Sequence, residues 1–296
     1  MMEIALPRHK TYIVAVSGGV DSMVLIDLLI KHQSQNNWQL IVAHVNHGIR
    51  HDSDRDEALV KQVAEVNQLI FESINLKLKA TASESLARAK RYQFLEEIKL
   101  KYQAAAIITA HHQDDFIETA ILNLIRGTGR KGLSSLKNND LRLRPLINYP
   151  KSEIIKYAKA NHLVWHEDYT NKDQHYLRNY IRINLLPKFD ASARLQFISI
   201  LNNLSVINRR LDYDLSQFVS ANIIEEGIDR SWFILLPHCL SREVLATWLR
   251  SNNLSGFSNQ ILERLTVSAK VARVNQRFPI YQNRYLIINK TTLSLS

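Results

Sequence analysis

The residues best suited to chemistry come early, in the run Ser17-Gly18-Gly19-Val20-Asp21-Ser22. It follows the apolar, β-rich stretch 11–16 and precedes a helical pattern from Met23 to His32. A strand, a glycine turn and a helix in that order aim several backbone N–H groups at one spot. Glycine lets the chain approach an anion closely and the helix dipole adds attraction, so the loop suits a phosphate. Ser17 and Ser22 add two hydroxyl donors. The other common phosphate loop, Gly-x-x-x-x-Gly-Lys-Ser/Thr, has a lysine that this run lacks. Asp21 would repel phosphates unless it held Mg²⁺, and that is the role it is assigned. A tight turn capped by Asp21 and Ser22 is the alternative.

Further polar clusters follow apolar runs in the same way. His44-Val45-Asn46-His47-Gly48-Ile49-Arg50 closes the stretch 38–45, and His111-His112-Gln113-Asp114-Asp115-Phe116-Ile117-Glu118-Thr119 follows 104–110. Asp115 and Glu118 lie i,i+3 on one helix face, with Asp114 one turn before Glu118. In a first turn they favour the dipole and can hold Mg²⁺ or an ammonium; a plain acidic helix start is the alternative. Ala87-Arg88-Ala89-Lys90-Arg91-Tyr92 puts Arg88 and Arg91 on one face, with Glu84 one turn earlier. That pair suits a phosphate or carboxylate, although isolated arginines more often line a solvated face. His44, His47, His51, His111 and His112 raise the question of a transition metal. Two histidines three apart after a strand equally suit hydrogen bonds to an adenine or a phosphate.

The elements that must position these residues alternate. Strands are expected at 11–16, 38–45, 71–76 and 104–110, with helices at 23–32, 54–68, 83–103 and 113–125. That order predicts an α/β fold, a doubly wound and mostly parallel sheet whose ligands sit beyond the carboxyl ends of the strands. A basic glycine loop fills 126–139, with Arg126, Arg130, Lys131 and Lys137, and reads as an RNA-backbone contact. Pro150 introduces a helix to about Asn161, and Arg178 and Arg182 share a helix face that suits a tRNA contact or the packing of the domain junction equally. From about 190 the pattern turns mainly helical: a stretch at 194–218, an apolar piece at 232–236, helices at 241–251 and 258–269, and a β-like end at 277–289. The expected domains are 1–188, catalytic, and 189–296, smaller, mainly helical and tRNA-binding.

Bulk properties agree. The 296 residues are 46% hydrophobic and 22% charged, enough for two packed cores. The 38 basic and 28 acidic residues give +10 at pH 7, spread over both parts, which favours a polyanion partner. No apolar run approaches the ~18 residues that span a bilayer, and no leader is legible at the start. A single cysteine, Cys239, excludes an intramolecular disulfide and a cysteine-held cluster. The expected location is cytoplasmic. The oligomeric state, a homodimer included, does not follow from the sequence.

The glycine run resembles the signature of the PP-loop ATP pyrophosphatases, a Rossmann-like superfamily that cleaves ATP between the α and β phosphates. The later motifs narrow this. They are the His44 and His111 clusters, the Arg88 helix, Arg126-Gly127-Thr128-Gly129-Arg130-Lys131-Gly132-Leu133, Arg144-Pro145-Leu146, Trp165-His166-Glu167-Asp168-Tyr169-Thr170-Asn171, Arg178-Asn179-Tyr180-Ile181-Arg182 and Leu185-Leu186-Pro187. In this order they look like the tRNA(Ile)-lysidine synthetases, closely over 17–187 and only in length and helical character beyond. The resemblance implies ATP and Mg²⁺ as cofactors, and a CAU-anticodon tRNA(Ile) and free L-lysine as partners. The wobble cytidine is adenylated on its C2 oxygen with loss of pyrophosphate, and the lysine amine then displaces AMP. On that basis Ser17 to Ser22, His44, Asn46 and His47 bind ATP. Asp21 and Asp115 hold Mg²⁺; Asp21, Arg88, His112, Asp115 and Glu118 are catalytic. Arg126, Arg130, Lys131, Arg178 and Arg182 contact tRNA, and His112 or Asp115 accepts the proton of the lysine amine.

Two positions depart from the family pattern. Phe116 stands where a glutamine is usual after the paired aspartates, and the glycine loop ends Gly132-Leu133-Ser134-Ser135-Leu136. The resemblance further implies a short form, without the third domain of longer members. The nearest rival is a tRNA thiolase of the same superfamily, whose catalytic or cluster-binding cysteines a lone Cys239 cannot replace. A histidine–aspartate phosphohydrolase, using His51-Asp52 and His112 with Asp115, conflicts with the expected strands. A catalytically dead RNA-binding protein conflicts with the retained acids and arginines. In the second part Arg209, Arg210, Arg250, Arg264, Arg273 and Arg277 are weaker phosphate candidates.

Overall fold

The computed structural model describes residues 2–48, 53–78, 83–133, 136, 141–167, 177–225, 227–281 and 283–296. Ile49, Arg50, His51, Asp52, Ser134, Ser135, Lys137 and Asp168 to Asn171 lie outside the described residues, as does the side chain of Glu84. By internal contacts the chain divides into Met1–Gly127 with Gly132–Ile198, and Thr128–Lys131 with Ser199–Ser296.

The first unit runs β1 (Thr11–Ala15), α1 (Val20–Asn36), β2 (Gln39–Asn46), α2 (Ser53–Val66), β3 (Ile70–Asn75), α3 (Glu84–Lys101), β4 (Ala106–Ile108) and α4 (Gln113–Ile125). The short helix α5 (Arg130–Leu133), whose first two residues belong to the second unit, comes next in the chain, and strand β5 (Arg142–Leu143) and helices α6 (Lys151–Ala160) and α7 (Leu177–Tyr180) follow. The five strands pair in parallel in the order β3-β2-β1-β4-β5. The expected doubly wound sheet is therefore present. β5 was not legible beforehand, because two residues carry no periodicity.

Alternation along the strands assigns the two faces. Tyr12, Val14, Leu40, Val42, Ala106 and Ile108 pack with α1, α2 and α6 through Leu25, Leu28, Val60, Ala64, Ile154 and Ala158. Their neighbours Ile13, Ile41, Ala43 and Ile107 face the other way, onto Phe94, Leu95 and Ile98 of α3. Each such Leu or Ile, fully buried, contributes about 1.5–3 kcal/mol relative to exposure. The helix α1 stops at Asn37, whose left-handed φ of 51° lets its N–H reach the Gln33 and Ser34 carbonyls. A smaller core joins Ile117, Ile121 and Leu122 of α4 to Ile181 and Leu186, which lie in a π-helical turn (Ile181–Leu185) and a 3₁₀ turn (Leu186–Lys188).

The helix α8 (Ala191–Ser220) contains the division between the units, whereas the expected boundary falls at the turn before it. The second unit continues with β6 (Ile223–Ile224), β7 (Gly227–Asp229), α9 (Arg230–Leu235), α10 (His238–Ser251), α11 (Asn259–Val271), β8 (Arg277–Tyr281), β9 (Arg284–Ile288) and β10 (Thr292–Leu295). Its core gathers Phe233, Val244, Leu245, Leu249 and Leu265 against Ile228, Leu286, Ile288 and Leu293. Helices are the larger part, as expected, but an antiparallel sheet in the order β6-β7-β10-β9-β8 accompanies them. Only its end at 277–289 was legible. A Cβ on Gly227 would sit 2.5 Å from the Leu293 carbonyl oxygen, so β7 and β10 meet only through glycine. Among the described residues no helix is long and apolar enough to cross a membrane.

Candidate functional site

A cavity of about 480 Å³ opens where β1, β2 and β4 end. This is the crevice where the strand order reverses, since the chain leaves β1 on one side for β2 and on the other for β4. Its lining includes Ser17, Asp21 and Ser22 from the glycine turn, and His44, Asn46 and His47 from the end of β2. Thr109, His111 and Asp115 enter from the end of β4, and Arg91 and Tyr92 from α3.

The glycine turn is held by its own hydroxyls. Ser22 Oγ donates to the Gly19 carbonyl at 2.9 Å and accepts from the Ser17 N–H at 3.1 Å. Gly18 has φ +87°, a conformation glycine adopts without strain, and a Cβ there would lie 3.2 Å from Asp56 Cβ. A brace stands behind the turn. The His166 N–H donates to the Gly18 carbonyl at 3.1 Å, and His166 Nδ1 lies 2.7 Å from Asp56 Oδ1. Asp56 and Ser53, from the first turn of α2, were not singled out from the sequence. With its backbone approach unobstructed by a side chain, the turn can take an anion at the start of α1.

His44 is buried, and its Nδ1 lies 2.9 Å from the Val16 carbonyl oxygen. A carbonyl only accepts, so Nδ1 carries the proton. Burial pushes the imidazole pKa down, outweighing that bond and the charges of Glu57 and Asp56. The ring is neutral, and Nε2 is a buried lone pair with no partner among the described residues. It can accept from an amine but not bind a phosphate oxygen, which is also an acceptor. Asn46 is used internally: its amide donates to Asp54 at 2.8 Å and Glu57 at 3.3 Å, and its oxygen accepts from the Gly48 N–H at 2.9 Å. It shapes the rim of the cavity.

At the start of α4, Asp115 accepts from the His112 N–H at 3.1 Å and lies 3.4 Å from His112 Nε2, which is 3.8 Å from Asp21. Burial alone would raise the Asp115 pKa, but His112, His111, the His112 N–H and Arg178 together hold it below the usual carboxylate range. His111, bonded to Thr109 at 2.8 Å, is pushed down to about 3 by burial, with Arg144, Arg88 and Arg91 adding to the effect against Asp115. Arg88, Arg91 and Arg142 lie 5.0, 5.6 and 4.2 Å from the Tyr92 ring centre, which gathers positive charge at this side of the cavity, Arg142 also pairing with Glu96 at 3.2 Å. Arg88 itself does not line the cavity.

Glu118 is fully buried, off the cavity, and bonded by Arg182 at 2.7 and 2.8 Å. Arg178 donates to Thr119 Oγ1 at 2.7 Å and lies 3.3 Å from Glu118. Arg194 pairs with Asp114 at 2.9 Å. Phe116, the departure from the family pattern, is buried and does not line the cavity. Arg126 is exposed, whereas Arg130 pairs with Asp212 at 2.7 Å and Glu243 at 2.9 Å, and Lys131 with Asp212 at 3.0 Å. In the second unit Arg210 pairs with Asp214, Arg264 donates to the Pro279 carbonyl, and Arg250 and Arg277 stack on Phe257 and Tyr285.

Among the described residues no three His, Cys, Asp or Glu side chains converge as a protein-only metal site. Mg²⁺ held by one or two carboxylates and nucleotide phosphates needs no such cage, and Asp21 at the head of the anion loop fits that use. Lys151, also not singled out from the sequence, brings its Nζ to 2.5 Å from Asp21 Oδ1. Its signal is a lysine in the first turn of a helix, where the dipole disfavours a cation.

The sequence profile of the PP-loop domain matches residues 2–189. Curated relatives called tRNA(Ile)-lysidine synthase are similar in sequence. That of Exiguobacterium sibiricum is 34% identical across 77% of this chain and 55% of its own. That of Enterococcus faecalis is 37% identical across 78% and 52%, and that of a Synechococcus strain 33% across 83% and 78%. The chain thus spans about half the length of the first two. Among solved structures, the U34-tRNA thiolase NcsA from Methanococcus maripaludis, described with a [4Fe-4S] cluster, matches at TM-score 0.58 and 20% identity, over 67% of this chain and 72% of that one. That likeness concerns the fold alone.

Proposed function

The chain belongs to the PP-loop family and, within it, to the tRNA(Ile)-lysidine synthases, and from that premise we propose that it uses ATP to join lysine to the wobble cytidine of a CAU-anticodon tRNA(Ile). The observation that carries this is the cavity at the β1–β4 reversal, which combines an anion turn, an amine acceptor and paired acids. The turn Ser17 to Ser22 cradles the phosphates, with Gly18, Gly19 and Val20 presenting backbone. The lone pair of His44 Nε2 takes the adenine amine, with Asn46 and His47 forming that edge. Bound through Asp21 and Asp115, Mg²⁺ would neutralise phosphate charge.

In the first step the cytidine C2 oxygen bonds the α-phosphorus and the bond to pyrophosphate breaks. Arg91 in the cavity wall, with Arg88, Arg142 and Arg144 grouped near Tyr92, offsets the charge that develops. In the second step the neutral lysine amine bonds C2, the C2–O bond breaks, AMP leaves and the amine gives up a proton. Neutral His112, whose Nε2 lies 3.4 Å from Asp115, is assigned as the acceptor and Asp115 as the group orienting it. Glu118 sets α4 from behind by holding Arg182. For the RNA backbone, Arg126 is available as it stands. Lys131, Arg130, Arg178 and Arg182 each hold carboxylates and would exchange one for a phosphate on binding. Cys239, the single cysteine, is exposed in the second unit, far in sequence from the cavity residues, which favours lysine ligation over cysteine-dependent thiolation.

The test is incubation with ATP, Mg²⁺, radiolabelled lysine and CAU-anticodon tRNA(Ile). Label is expected in the RNA, at cytidine, with one AMP and one pyrophosphate per event. Pyrophosphate release without lysine incorporation would overturn the lysine assignment while leaving the ATP chemistry standing.

A further inference from the structure

The anion turn carries no lysine, yet an ammonium reaches it from far along the chain. Lys151 Nζ meets Asp21 Oδ1 at 2.5 Å, and both side chains are about one-third exposed (33% and 30%). Lys151 is the first residue of α6, where the positive end of the helix dipole works against a cation. Its placement is nonetheless firmly built. The helix α6 packs on α1 through Ile154 and Ala158, and Tyr157 donates to Asp27 of α1 at 2.7 Å. The residues before it are tied to α4, with the Gln113 N–H donating to the Tyr149 carbonyl at 3.0 Å and Gln113 Nε2 to the Asn148 carbonyl at 3.2 Å. So α1, α4 and α6 fix the backbone of Lys151 while its four-carbon stem stays free to swing.

Resting on the ATP reading above, the geometry points to Lys151 as the phosphate-binding lysine of this site, exchanging Asp21 for the β and γ phosphates when nucleotide enters. Asp21 cannot serve both an ammonium and Mg²⁺ through the same oxygen. Mg²⁺ held through Asp21 would compete with Nζ for that oxygen, freeing the ammonium for the terminal phosphates. Before entry the lysine neutralises Asp21, which would otherwise repel an arriving nucleotide. After cleavage the same ammonium is left on pyrophosphate, the leaving group. The loop thus obtains from α6 the cation that Gly-x-x-x-x-Gly-Lys loops carry within themselves.

The experiment is equilibrium binding of ATP, pyrophosphate and AMP, each with Mg²⁺, to the wild-type chain and to Lys151→Met and Lys151→Arg. Lys151→Met should weaken ATP and pyrophosphate by roughly tenfold or more while AMP changes little. Lys151→Arg should recover most of the loss, and a thermal melt on each protein reports folding separately. If Lys151 only screens Asp21, AMP and ATP weaken together in Lys151→Met, and that result overturns the assignment. Unchanged ATP binding overturns it as well. Failure of the wild-type chain to bind ATP would instead strike the underlying ATP reading, and this one with it.

Discussion

Glu118 and Arg182 form a two-pronged pair: Nε and Nη2 of the arginine meet the two carboxylate oxygens at 2.7 and 2.8 Å, and the glutamate is wholly buried. The pair joins α4, which opens with His112 and Asp115, to the π-helical turn that holds Arg182. Burial raises the Glu118 pKa against the opposing bond and charge of Arg182, so the carboxylate depends on its partner to stay ionised.

Glu118→Ala takes the buried carboxylate from Arg182 and Arg178, leaving Arg182 with Asp115 at 3.5 Å and Arg178 with Thr119 at 2.7 Å. A cost of about 3 kcal/mol is expected, the lower end for a broken buried pair because Arg182 is one-third exposed. Urea denaturation measures it. The double variant Glu118→Ala/Arg182→Ala should cost less than the sum of the two single changes; strict additivity would mean the pair is not what holds α4.

His111 should make stability depend on pH. Its folded pKa, about 3, lies below its ordinary 6.5. A depressed histidine contributes stability above pH 6.5 that is lost as pH falls toward the folded value, because the unfolded chain takes up the proton first. Between pH 6.5 and 5, before most carboxylates titrate, unfolding free energy should drop by up to about 1.4 kcal/mol per pH unit. His111→Gln should flatten that slope in chemical denaturation; an unchanged slope would assign it to other groups.

His44 should set nucleotide choice. Its lone pair accepts the amine of adenine and faces a carbonyl oxygen in inosine or guanine. Wild-type protein should therefore prefer ATP over ITP, and His44→Phe should lose most of that preference, by roughly tenfold, in competition binding. A preference that survives His44→Phe would place adenine elsewhere in the cavity.

Arg126 and Arg130, four residues apart, should respond differently to alanine. Arg126→Ala should weaken tRNA and reduce the slope of log affinity against log salt by about 0.7, with the melt unchanged. Arg130→Ala breaks contacts to Asn208, Asp212 and Glu243 within its own unit and should cost about 2 kcal/mol of stability. Equal melts for the two variants would refute that division of labour.

The sequence by itself determined the alternation of strands and helices and the glycine turn between β1 and α1. It also placed the polar clusters at strand ends, because all three depend on neighbours close along the chain. Among the residues singled out by type, Ser17, Asp21, Ser22, His44 and Asp115 do line one cavity. What each side chain is bonded to was decided only by tertiary structure. Glu118 reads like Asp115 in sequence, yet one carboxylate is sealed against arginine and the other borders the cavity. Arg130 reads like Arg126, yet one is held by two acids and the other is exposed. Only the fold brings the Val16 carbonyl to one nitrogen of His44, leaving the other as an acceptor. Lys151 lies 130 residues from Asp21 and became part of the turn only when α6 packed beside α1. Local pattern encodes which groups the chain carries; long-range packing decides which oxygen or nitrogen of each is left to act.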